Sequence, residues 1–484
     1  MQILNFIKKY LYNFLIGLII FFGIYLRFKG YWANPSFWHD ECGLAWNIKF
    51  KNYYELFGIL RFLQVAPPFF LVLTKFLTQI FGYSEKVFRF IPFLAGCLSI
   101  PAFYLLSKKA LNNKISVVFA VFFFAVNERV INYSVEFKPY ILDVFLVIIC
   151  LLFFINIDIE KLNKKLSCLY GVLLSIIPWF SFISVFFLAG GFLNICLTHI
   201  KKNWIKKTFL IFPAFISGLL YLKFYILTNY NGTKMVSDWD RFFFALNPKI
   251  SFNLFIESIK FLFLTANFYL YLILILFIWG VMVYFQEKSV YFKVTAFSLL
   301  FFIISSILHI YPFSGRVILF LIPVYLLFII KPLDKISLNK KLLSFLLISL
   351  AVISFIPQIK WVKYFTQAEK TITKEEAPRE VMKILNKDIK KEDIIFISRY
   401  TNIEFIYYYP NFYNIKNQVI YEKDKDNRIQ LLNYIKKNSN CWFYFLLEDK
   451  RTDSLLKWLD ENAKIITVIN FNGLRDYLIY THIK

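Results

Sequence analysis

The chain of 484 residues is 58% hydrophobic and 21% aromatic with a mean hydropathy of +0.56, which excludes a soluble globular domain. Its formal net charge of +25 would ordinarily bring nucleic acid to mind. The basic residues, however, fall in short clusters between apolar runs, as in cytoplasmic loops of a polytopic membrane protein, so nucleic acid is not the expected partner.

Apolar length and Lys/Arg placement predict about eleven transmembrane helices, with the N-terminus cytoplasmic. The first apolar run follows Lys8-Lys9 and continues to Tyr25 without a small-residue cleavage site, which reads as a retained first helix. Span 1 covers about 10–27, and an outer loop runs from 28 to 85. Span 2 (about 87–107) returns to Lys108, Lys109 and Lys114. Span 3 (about 115–131) goes out, and span 4 (about 137–156) comes back to Lys161, Lys164 and Lys165. Spans 5 and 6 form a tight pair across 166–199. Span 7 (about 208–227) opens an outer loop to 267, and spans 8 to 11 follow at about 268–285, 293–309, 316–330 and 341–357. The stretch 65–81, opened by Pro67-Pro68 and carrying Lys75 and Gln79, predicts an amphipathic helix on the outer membrane face.

From Gln358 the composition changes: 127 residues hold 22 Lys/Arg and 17 Asp/Glu, with short apolar runs at 394–398 and 442–447. That pattern predicts an extracytoplasmic α/β domain over 358–484, appended to a membrane domain over 1–357. The six cysteines show no CxxC spacing, and four lie in predicted spans, so neither a disulfide framework nor a zinc site is expected.

Three constellations carry candidate chemistry. The first 357 residues contain only 14 of the 31 carboxylates, and two of these stand side by side as Asp40-Glu41 in the first outer loop, flanked by Trp38 and Trp46. Adjacent helical residues point about 100° apart, so one acid can face a reacting hydroxyl while the other holds a metal or orients backbone. A solvated pair of loop acids is the plain alternative. The second, Tyr133 to Tyr140, ends at the mouth of span 4. There Glu136, Tyr140 and Asp143 are spaced to share one helical face, and Lys138 can contact a phosphate or simply snorkel to the interface. The third is His309-Ile-Tyr-Pro-Phe-Ser-Gly-Arg316. An Arg on the outer side, where positive charge is disfavoured, points to an anionic ligand such as a lipid phosphate, or to ordinary helix-end capping. His39 and His309 could join Asp40 or Glu41 at a metal, but four histidines form no spacing motif.

Taken in order, these segments resemble the GT-C membrane glycosyltransferases of the protein O-mannosyltransferase and aminoarabinose transferase type, family 39 and its bacterial relatives. The resemblance covers roughly residues 10–330. It rests on the acidic pair Asp40-Glu41, Pro67-Pro68, the segment Gly82 to Pro92 with Arg89, the segment Tyr133 to Tyr140, and Arg316 followed by Pro323. Two departures stand out: Ala66 where many relatives carry His or Lys before Pro-Pro, and Lys138 where many carry Arg, which keeps the charge but loses the two-pronged fork.

The resemblance implies transfer of a sugar from a polyprenyl-phosphate carrier to an acceptor hydroxyl of a protein, lipid or glycan on the outer face, with inversion. It implies Asp40 as general base, with Glu41 orienting the acceptor or holding a divalent metal together with Asp40 and His39. Arg316, Lys138 and Arg89 would bind the lipid phosphate, Glu136 would anchor a cation or sugar hydroxyl, and Tyr140 and His309 would line the substrate site. A transporter or flippase for lipid-linked sugar and a polysaccharide polymerase are the competing readings. The first would show matching repeats or broken spans, and the second a large catalytic loop late in the chain.

Overall fold

The computed structural model describes residues 2–198, 204–221, 240–263, 267–335, 349, 378–398, 401–412, 418–421, 440–446, 457–470 and 476–483. The expected span at 341–357 apart from residue 349, and residues 228–239 and 264–266 of the expected outer loop to 267, lie outside them. Two compact units emerge: one of 1–32, 52–59 and 65–368, the other of 33–51, 60–64 and 369–484.

The described secondary structure of the first unit is helical, with no strand among its described residues. Its helices are α1 (Gln2–Ala33), whereas α2 (His39–Phe50) belongs to the second unit, and then α3 (Pro68–Phe81), α4 (Glu85–Ala110), α5 (Lys114–Ala125) and α6 (Glu128–Ser134). There follow α7 (Tyr140–Asn156), α8 (Lys164–Ile176), α9 (Ser184–Thr198), α10 (Trp204–Tyr221), α11 (Pro248–Phe263), α12 (Asn267–Glu287), α13 (Val290–Ile307) and α14 (Leu321–Ile330). Among the described residues five helices are long and apolar enough to cross a bilayer, or six counting α5–α6 as one bent span. The protein is an integral membrane protein.

Helix starts follow local capping chemistry. The side chains of Asn113, Asn127, Asn163 and Ser289 accept hydrogen bonds from Ile115, Val130, Leu166 and Phe292 backbone N–H groups, satisfying donors that a helix start leaves bare. The Pro67-Pro68 pair opens α3 as expected, with Pro68 at the first helical position and Phe70, Leu71, Thr74 and Thr78 buried on one face.

Span 3 is not one straight helix. Asn127 caps a new start, and the axis bends by 49° between α5 and α6. A break inside a membrane frees carbonyls that must find donors. The fully buried Arg27 supplies one, donating from Nη1 to Ala125 O at 2.9 Å and to Gly23 O at 2.8 Å. On the far side of the break, Asn127 Nδ2 donates to Leu262 O and Arg129 Nε to Phe261 O, both at 3.1 Å.

The ten residues of α14 are all buried, so this helix is an interior element. It lies so close to α12 that a methyl group at Gly280 would run into the carbonyl of Phe328. Gly280→Ala is therefore expected to destabilise the folded protein by roughly 1–3 kcal/mol, the usual cost of overpacking, read as a lowered midpoint of thermal unfolding in detergent. An unchanged midpoint would show that the two helices can separate without loss.

The second unit contains a five-stranded sheet of β1 (Ile394–Ile397), β2 (Gln418–Tyr421), β3 (Asn440–Leu446), β4 (Ala463–Asn470) and β5 (Asp476–Ile483), in the order β2-β1-β3-β5-β4. The central β1 pairs in parallel with β2 and β3, and its four residues are all buried, as expected of a strand covered on both faces. β5 runs antiparallel to β3 and β4. The apolar runs at 394–398 and 442–447 thus become β1 and most of β3. The buried Asp393, just ahead of β1, accepts from Trp442 Nε1 at 3.1 Å and Tyr480 OH at 3.4 Å. Helices α15 (Pro378–Asp388) and α16 (Asn402–Phe412) complete the described part of the unit together with α2.

Candidate functional site

The expected site residues fall into two sets, each described within its own unit. Arg89, Glu136, Lys138, Tyr140, His309 and Arg316 lie in the first; His39, Asp40 and Glu41 lie in the second.

In the first unit, the segment 135–139 is not helical, which corrects the expectation that Glu136 shares a helical face with Tyr140 and Asp143. The cause is Pro139: proline disfavours helical geometry at the residue before it, and here it precedes a fresh helix start at Tyr140. The chain turns sharply instead, Lys138 N donating to Glu136 O at 2.8 Å, with Glu136 and Lys138 each 4% exposed. Two buried ionisable side chains of opposite sign therefore sit on a five-residue break between helices. Non-helical backbone at membrane depth persists where it lines a cavity or is covered by protein.

Arg316 meets this break from the other side of the chain. It lies in a single 3-10 turn, Gly315–Ile318, that leads toward α14, and Gly315 takes φ +58°, a left-handed conformation suited to glycine. The guanidinium lies 5.6 Å from the centre of the Tyr140 ring, within cation–π range. Tyr140 in turn packs edge-on against Tyr133 at 5.6 Å, and Tyr133 is within electrostatic reach of Glu136, Arg316 and Arg129. The structure thus brings Arg316, Tyr140, Tyr133 and the 136–138 turn together. Tyr133 carried no separate signal in the sequence beyond belonging to the same motif. Asp143, on α7, is 5% exposed and faces Ser181; its Oδ1 has no partner among the described residues.

Arg89 is buried on α4. His309 is half-exposed, stacks on Phe243 at 4.8 Å and places Nε2 3.4 Å from Asp240 Oδ1. Phe313 N also donates to Phe242 O at 2.7 Å, so the turn at 240–243 docks on the 306–313 segment. A cavity of about 480 Å³ lined by Trp179, Phe212, Pro213 and Leu220 contains none of the expected site residues.

In the second unit the acidic pair opens α2, and its two members differ sharply. Glu41 is fully buried, and its Oε2 accepts from Trp38 N at 3.4 Å, folding back over the helix start. Asp40 is only partly buried, and its Oδ1 accepts from Gln64 Nε2 at 3.4 Å. A carboxylate at a helix N-terminus is favoured by the helix dipole, and both acids occupy that turn. Gln64 belongs to a short return segment that closes over α2: Asn47 Oδ1 accepts from Arg61 N at 2.8 Å, and the Arg61 guanidinium lies 4.8 Å from the Trp46 ring. Trp46 is thereby used within the protein.

His39 pairs with the tail. Its Nδ1 is 3.0 Å from Glu404 Oε1, and Glu404 is 1% exposed. Among the described residues no group of three His, Cys, Asp or Glu side chains is arranged to hold a metal ion, so the donors needed for the expected His39, Asp40 and Glu41 set do not converge.

Residues 65–225 match the family model described as dolichyl-phosphate-mannose-protein mannosyltransferase. Two solved structures of ArnT from Cupriavidus metallidurans align along nearly the whole chain, each covering 96% of this chain and 98% of the other. The apo state gives TM-score 0.53 at 10% identity, and the state bound to undecaprenyl phosphate gives 0.54 at 9%. No curated protein sequence matches the chain. The chain carries the GT-C fold.

Proposed function

We propose that this protein is a membrane glycosyltransferase that moves a sugar from a polyprenyl-phosphate carrier to an acceptor hydroxyl on the outer face of the membrane, with inversion at the anomeric carbon. Asp40 acts as general base on the acceptor hydroxyl, and Arg316, Lys138 and Arg89 bind the lipid phosphate. Glu136 holds one of these cations, and Tyr140 carries Arg316 on its ring. Phosphate leaves without a strong general acid, so the work of the site is to take one proton and to stabilise developing negative charge on the departing phosphate.

The observation that carries this reading is the cluster of Arg316, Tyr140, Tyr133 and the buried turn with Glu136 and Lys138, on a fold shared end to end with a protein crystallised with undecaprenyl phosphate. A guanidinium set against an aromatic ring, with Lys138 two residues ahead of that ring in the chain, suits a phosphate monoester or diester, because the guanidinium offers paired donors at low reorganisation cost. Asp40 supports the base assignment by being the more accessible of the two acids. The N-terminus would then be cytoplasmic, the 358–484 domain extracytoplasmic, and the acceptor a protein, lipid or glycan.

The bent α5–α6 pair is the one feature that favours transport of a lipid-linked sugar, since broken helices often line translocation sites. Incubating purified protein in bilayers with radiolabelled undecaprenyl-phosphate sugars and a membrane extract as acceptor separates the readings. Release of undecaprenyl phosphate together with labelled acceptor is the expected result. Donor crossing the bilayer without cleavage would replace transfer with transport.

A further inference from the structure

We infer that Glu404, in the C-terminal domain, is a positioning residue for the reaction: it fixes the ring of His39 and with it the helix turn that presents Asp40. The inference rests on the assignment of Asp40 as base. Several contacts from the tail hold the chain just ahead of Asp40. Arg379 Nη2 donates to Asn34 O at 3.1 Å, Ser36 hydrogen-bonds Glu380, the Tyr408 hydroxyl accepts from Phe37 N at 2.9 Å, and Phe37 packs on Tyr407. The His39–Glu404 pair is the last of this series, one residue before Asp40.

Its chemistry differs from that of the other anchors. A neutral imidazole has two tautomers, and a carboxylate facing Nδ1 selects the one that carries its proton there, leaving a lone pair at Nε2. The ring orientation is fixed at the same time, and His39 and Asp40 are consecutive residues of the first turn of α2. Glu404 itself is buried, and among the described residues its Oε2 has no hydrogen-bond partner, so the His39 contact compensates much of the cost of placing a carboxylate there. The acceptor side of the reaction is therefore shaped by a residue 364 positions downstream of the base, in a part of the chain whose sequence shows no catalytic motif.

The test uses the full-length protein in nanodiscs, comparing Glu404→Ala, Glu404→Gln and Asp40→Asn with wild type. Carboxylates that orient an imidazole contribute roughly 10–100-fold where they support metal-bound histidines, and a similar loss of kcat is expected for Glu404→Ala, with KM for the undecaprenyl-phosphate sugar unchanged. Glu404→Gln retains an accepting oxygen and should recover to within about 5-fold of wild type. The chain has only four histidines, so 15N-histidine spectra, with His39 assigned by His39→Gln, report the tautomer directly. The Nδ1–H form should be lost in Glu404→Ala. An unchanged His39 signal, equal losses in the two Glu404 variants, or normal turnover in Glu404→Ala while Asp40→Asn is inactive would each overturn the inference. Turnover retained in Asp40→Asn would instead remove the reading on which it rests, and the spectra would still decide the Glu404–His39 contact.

Discussion

Replacing Asp40 with Asn is expected to lower turnover by roughly 10²–10⁴-fold, the range a positioned general base contributes, while binding of undecaprenyl phosphate stays within about 2-fold of wild type. The substitution is nearly isosteric, and the side-chain oxygen can still accept from Gln64 Nε2, so the turn that holds it should persist. What disappears is the ability to take a proton. Glu41 makes the contrast informative. Its carboxylate is fully buried and folds back onto Trp38 N, so Glu41→Gln should show itself in thermal stability at least as much as in turnover. Turnover and binding measured on the same preparations decide the division of labour. Near-normal turnover of Asp40→Asn would remove Asp40 from the chemistry.

Replacing Arg316 with Ala should weaken binding of undecaprenyl phosphate by about 10–100-fold, corresponding to the roughly 1.5–3 kcal/mol carried by a hydrogen bond to a charged group. Arg316→Lys should recover only part of this, because an ammonium supplies a charge without the two parallel donors of the guanidinium. Tyr140→Phe is the matching control. It retains the ring beneath Arg316 and removes only the hydroxyl, so affinity should remain close to wild type if the ring contact is what orients the guanidinium. Titration of the purified variants with undecaprenyl phosphate reads all three. Equal affinity for wild type and Arg316→Ala would move the phosphate away from this turn.

The helical segments were readable because apolar length and charge placement are one-dimensional signals. The long helices α4, α12 and α13 lie where the sequence predicts them. Breaks within segments were harder to see. Asn127 is an ordinary polar residue by composition, yet as an N-cap it starts a new helix, and Arg27 takes up the carbonyl of Ala125 just ahead of it. Pro139 stands in plain view in the sequence, and it overrides the helical spacing that would put Glu136 on one face with Tyr140 and Asp143. The three sets of candidate residues were each legible from local motifs. Glu404 was not, because nothing near it in sequence marks it. Its partner lies 365 positions away, and only folding brings His39 and α16 together.

The same long separations bear on how the protein is made. The acidic turn around Asp40 leaves the ribosome long before Tyr408, so Phe37 must wait for a residue 371 positions later before its backbone N–H finds the tyrosine hydroxyl as acceptor. Contacts so distant in sequence form late, after the intervening chain has been placed. During synthesis the turn therefore exists for a time incompletely anchored, and a nascent chain stalled before Glu404 would hold Asp40 without its neighbours' contacts to the tail. If Asp40 is the base, competence would then wait for the tail to be made, and half-built copies in the membrane would stay idle toward the lipid carriers around them.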